Sequence, residues 1–133
     1  MEDHKFDIKK TVEHWLSRSD IDFETMLHLY NSKDYHWSLF IGHLVIERLL
    51  KAGVVKNSGT HAPFTHDLRR LARLSNIEFT EEYNRWFDIL STFNLNARYD
   101  DYKQDFYKKC SPKFTEEWID NIKQLRQWIK KML

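Results

Sequence analysis

The sequence predicts an all-α protein, an antiparallel bundle of four to five helices running up and down. Three observations carry that expectation. Three glycines and two prolines stand against the roughly 16 that average usage puts in a chain of this length, which leaves little turn chemistry for a sandwich or barrel. Apolar residues recur at three- and four-residue steps over several long segments, the period of a helix buried on one face. The connections between these segments are short, as antiparallel neighbours in a bundle require.

The first helix is marked by Ile8, Val12, Trp15, Leu16, Phe23, Met26, Leu27 and Tyr30, with the small Ser19 filling the one gap in the stripe. Asn31 to Asp34 supplies turn formers. From Tyr35 to about Leu50 the apolar residues cover most of the helix circumference, so this helix is expected to be central or shared with a second chain. Gly53 is expected to end it or to lie in its last turn. Asn57 to Pro63 is the longest irregular stretch. Asp67 to Leu74 reads as a two-turn connector, and Thr80 caps a helix whose apolar face is Tyr83, Trp86, Phe87, Leu90, Phe93 and Ala97. The spacing of the aromatic and charged stretch between Arg98 and Pro112 allows a further helix, broken at Ser111-Pro112. A last helix is expected to open near Thr115 and to carry Trp118, Ile122, Leu125 and Ile129. Leu44 and Trp86 are expected in the core.

A chain of 133 residues is expected to form one domain, residues 1–133. Lys and Arg number 21 against 20 Asp and Glu, so no global field attracts nucleic acid or an acidic membrane, and any polyanion must be read locally. The lone Cys110 permits no internal disulfide and fits a reducing compartment. Acids among the first seven residues and the absence of a long apolar run argue against a signal peptide and against a membrane span, so a cytoplasmic protein is expected. The scattered glycines exclude a phosphate-binding glycine loop.

Three groups of residues could carry chemistry. His43, Glu47 and Lys51 stand four apart and form one polar stripe on an otherwise apolar helix. That stripe is either a ligand pocket or a solvated edge with a Glu47–Lys51 ion pair. His66-Asp67 opens a helix, where backbone N–H groups suit an anion or a side-chain cap. Arg98, Tyr99, Tyr102 and Lys103 put cations beside aromatic faces, a set that holds a phosphate and stacks a base, or that packs as core. No metal site, cofactor or catalytic triad is expected. Cys110 has neither a glycine-flanked nor a helix-start setting.

Taken in order, several segments resemble the HEPN domain family, named for higher eukaryotes and prokaryotes nucleotide-binding. They are Trp15-Leu16 with Asp22, Glu47-Arg48-Leu49-Leu50-Lys51-Ala52, His66-Asp67-Leu68 with Leu71, and Phe93 to Tyr99, followed by Tyr102-Lys103, Phe106 to Cys110 and Trp128. The resemblance implies a four- to five-helix bundle, commonly a homodimer. In prokaryotes it implies frequent pairing with a small nucleotidyltransferase, an arrangement of the toxin–antitoxin type. Many relatives place Pro after the Arg-Tyr pair, where this chain has Asp100. Catalytic relatives carry Arg, four to six intervening residues and then His, and no Arg here has a His at that spacing downstream.

The function expected on these grounds is a non-catalytic dimeric module that binds a nucleotide, a nucleotidyltransferase partner, or both. Lys51, His66, Arg98, Tyr99 and Lys103 are the expected ligand residues and line one cleft in this reading, with His43 and Glu47 as its polar pocket. The alternatives are a divergent ribonuclease using His66, Arg98 and Tyr99, or a bundle whose ligand is only another protein chain.

Overall fold

Helix-terminating chemistry sets the limits of each element. The computed structural model describes residues 6–133, the side chain of Asp100 excepted; the amino-terminal acids Glu2 and Asp3 lie outside them. In α1 (Ile8–Asn31) the Asp7 carboxylate accepts the Lys10 N–H. The second helix, α2 (Tyr35–Ser58), stops at Gly59, whose φ of 72° is the left-handed conformation glycine adopts without a Cβ penalty. Asp67 caps the short α3 (Leu68–Leu74) through the Arg70 N–H, and Thr80 caps α4 (Glu81–Arg98) through that of Tyr83. An extended Tyr99 separates α4 from α5 (Asp100–Lys109). Ser111 then caps α6 (Pro112–Met132), with Pro112 in its first turn, where the missing N–H costs nothing.

Six helices therefore occur among the described residues, and α2 touches all five others. Its apolar circumference is explained by that central position. Two serines let α1 lie close: Ser19 Oγ donates to the Val45 carbonyl at 2.8 Å, and Ser38 Oγ to that of Met26 at 2.9 Å. On the other side α6 crosses at Gly42, where a Cβ would stand 2.5 Å from Ile122 Cδ1. The core is built from Met26, Leu39, Ile46, Leu49, Leu50, Leu68, Leu71, Phe87, Leu90, Phe93, Ile122 and their neighbours. No helix among the described residues is long and apolar enough to cross a membrane.

Four expectations are corrected. The second helix does not end near Gly53 but runs on to Ser58. Gly53 sits within it because Ile77 and Ser75 press against that turn; a Cβ there would meet them at 3.1 and 3.3 Å. The last helix opens at Pro112 rather than near Thr115, because Ser111-Pro112 both breaks α5 and starts α6. Leu44 is half-buried rather than core. It lies one turn from Phe40 and Ile41, which are also half-buried. Trp86 is half-buried and packs against the edge of the core.

Candidate functional site

The polar stripe on α2 is buried, and the segment between α2 and α3 closes over it. Glu47 is 3% exposed and Lys51 6%. Glu47 accepts from Lys51 Nζ at 3.2 Å and from His66 Nδ1 at 2.7 Å. The carboxylate thus fixes the proton on Nδ1 of His66, and Nε2 is left on a side chain that is 40% exposed. His43 Nε2 donates to the backbone carbonyl of His66 at 3.1 Å, which leaves Nδ1 of this wholly buried ring without a hydrogen-bond partner. Lys51 Nζ stands 5.0 Å over the Trp15 ring and 6.0 Å from that of Phe64. Phe64 itself is 95% exposed. The ion pair expected from the four-residue spacing is present, yet it is not a solvated edge, and Asp67 serves as the cap of α3.

Arg98, Tyr99 and Lys103 form a second group at the corner between α4 and α5. Arg98 donates to Asn94 Oδ1 at 3.2 Å and lies 6.0 Å from the Tyr99 ring centroid. Lys103 Nζ is 5.0 Å over the ring of Trp37 in the first turns of α2. Tyr99, Tyr102 and Tyr107 are more than half exposed. Trp37 and Lys51 are fourteen residues apart on one helix, about 21 Å along its axis at 1.5 Å per residue. The structure therefore joins Lys51 to His66 and Arg98 to Tyr99. Among the described residues, no hydrogen bond or ion pair links the two groups.

Residue patterning alone singles out neither Phe64 nor Trp37 as a site residue. A signal for Phe64 existed, since it is a large aromatic residue beside Pro63, ahead of the connector helix that opens at Asp67. Trp37 is one of many apolar residues around α2, so its meeting with Lys103 depends on tertiary packing. Among the described residues no cluster of His, Cys, Asp and Glu suits a metal ion.

Burial holds the His43 imidazole below its ordinary value of 6.5, more than the Glu47 carboxylate raises it. The folded chain refuses a proton that the unfolded chain accepts below about pH 6.5. His43 therefore supports the fold above that pH and withdraws support as pH falls toward its depressed value. His36, also depressed chiefly by burial, acts with the same sign. The urea midpoint is expected to fall between about pH 7.5 and 5.5, and His43→Gln to flatten that slope. An equal slope in both proteins would overturn the assignment.

Comparison with known proteins agrees with this architecture. No curated protein matches the chain. The fold is similar to the crystal structure of TT1696 from Thermus thermophilus, with a TM-score of 0.78 and 16% identity, covering 92% of this chain and 98% of that one. At that identity the likeness speaks for the fold alone. The model of the HEPN domain matches residues 12–132. That span runs from the first turns of α1 to the end of α6 and takes in both residue groups. The chain belongs to the HEPN domain family.

Proposed function

We propose that the chain is a non-catalytic HEPN module that binds a nucleotide at the corner between α4 and α5. The observation that carries this reading is the pairing of cations with exposed rings: Lys103 over Trp37, and Arg98 beside Tyr99. A base stacks on such rings, while the guanidinium and ammonium groups meet phosphate oxygens. Lys103 is the fifth residue after Arg98 and falls where catalytic relatives carry histidine. That position therefore lacks the imidazole that serves as proton carrier in general acid–base catalysis.

Lys51 lies about 21 Å along α2 from Trp37, and His66 is tied to α2 through His43 and Glu47 rather than at this corner. In this reading Glu47, Lys51 and His66 hold the segment before α3 against α2. The partner proposed first is a second copy of the chain, meeting the half-buried face of Phe40, Ile41 and Leu44. The partner proposed beyond the dimer is a small nucleotidyltransferase.

A divergent ribonuclease is the second reading. One observation favours it, the Glu47 carboxylate that orients the part-exposed His66 in the manner of a general base. Among the described residues no hydrogen bond or ion pair joins His66 to Arg98 or Tyr99, which counts against it.

Calorimetric titration with AMP and ATP tests the first reading. Binding is expected in the micromolar to millimolar range. Arg98→Ala is expected to weaken it by about 1.5–3 kcal/mol, the worth of a charge-assisted hydrogen bond. Absence of binding, or binding indifferent to Arg98→Ala, would overturn it. RNA cleavage lost on His66→Ala would favour the ribonuclease.

A further inference from the structure

A cavity of about 290 Å³ opens at the amino-terminal end of α2, lined by Lys33, Tyr35, His36, Tyr107, Lys108 and Cys110. Three of these six side chains are bases and none is a carboxylate, in a chain whose acids and bases nearly balance. The thiol adds no negative charge, because burial pushes Cys110 up to about 12. The His36 imidazole is held below 6.5 first by burial and then by the Lys103 ammonium, against the opposing pull of Asp34.

Asp34 does not neutralise the cavity by capping the helix. Its carboxylate accepts from the Ser32 hydroxyl at 2.8 Å and makes no capping hydrogen bond to α2. Tyr35 and His36 begin a helix of 24 residues, whose amino-terminal end carries partial positive charge. The cavity is thus cationic by its side chains, and the backbone field has the same sign. Its volume lies just below the roughly 300–1,000 Å³ of pockets that enclose a drug-sized molecule, so it suits one chemical group.

The cavity adjoins the proposed nucleotide corner. The His36 ring lies 5.1 Å from that of Tyr107, and its neighbour Trp37 lies under Lys103. Tyr99, Lys103 and Tyr107 stand four apart in sequence, from the cap of α5 to its last turn, and therefore follow one side of that helix.

We infer that this cavity is a phosphate subsite, which takes the terminal phosphomonoester of a nucleotide whose base stacks on the exposed rings of the corner. For the base the inference rests on the nucleotide reading; for the phosphate it rests on the cavity alone. The ligand class is accordingly a nucleoside phosphate rather than a nucleoside.

The test is calorimetric titration of the full chain with inorganic phosphate, AMP and adenosine at fixed ionic strength, for the wild type and for Lys33→Asn with Lys108→Gln. Asparagine is chosen because Lys33 has a φ of 66°, a region that Asn tolerates. Both lysines are exposed, so the fold does not depend on them. Wild-type protein is expected to bind AMP at least about tenfold tighter than adenosine, a factor in the range of one charge-assisted contact. The double variant should lose that preference and keep its affinity for adenosine.

By NMR, phosphate should raise the His36 titration, since a neighbouring anion favours the imidazolium. Phosphate and AMP binding unchanged in the double variant would overturn the subsite. A response to phosphate matched by chloride at equal ionic strength would also overturn it. If AMP binding depends on Arg98 but not on the two lysines, the nucleotide reading survives and the subsite falls. Phosphate binding that needs the lysines, with no affinity for AMP or adenosine, supports the subsite and overturns the nucleotide reading.

Discussion

Glu47→Ala is expected to lower folding stability by about 3–5 kcal/mol, measured from urea denaturation. The carboxylate is buried and serves two partners at once, Lys51 Nζ at 3.2 Å and His66 Nδ1 at 2.7 Å. Its removal leaves the Lys51 ammonium buried without a counter-charge. Such an orphaned charge, rather than the lost attraction, makes a broken buried pair costly. The segment before α3 loses its tie to α2 in the same step. Replacing both residues, Glu47→Leu with Lys51→Met, removes the orphan and should restore most of the loss. A cost below about 1 kcal/mol for Glu47→Ala would show that water reaches the cluster, since that is the worth of an exposed pair.

Phe93→Ala is expected to cost about 3–5 kcal/mol through the cavity it leaves. The ring is fully buried, and its centroid lies 5.2 Å from that of Phe106, 6.2 Å from Phe114 and 5.5 Å from Trp118. Those three rings belong to α5 and α6, so one side chain on α4 fastens two further helices. Phe93→Leu keeps most of the volume and should cost less. Phe64→Ala, at a ring that is 95% exposed, should change stability by no more than about 0.5 kcal/mol. Equal losses at Phe93 and Phe64 in chemical denaturation would contradict the burial pattern.

The helices were legible wherever one face of a segment meets the core. Ser19 shows the limit of periodicity: it reads as a gap in an apolar stripe, yet it is wholly buried and donates to α2. Gly53 misleads for a related reason, since glycine marks either a helix end or a close approach and only the folded neighbours decide which. Gly59, with its positive φ, is the true stop. At the site, the Glu47–Lys51 pair follows from spacing along one helix, whereas the bond from His66 to Glu47 spans nineteen residues. Lys103 meets Trp37 only because α5 packs against the start of α2. Such meetings depend on helix order and crossing, which local pattern does not encode.

The state of Cys110 has a practical consequence for labelling. Burial pushes its thiol up to about 12, which disfavours the thiolate, the form that attacks maleimides and disulfides. The native chain is therefore nearly silent toward thiol reagents while folded. A cysteine introduced on an exposed turn of α6 would take a fluorophore or spin label almost alone, with Cys110 left in place.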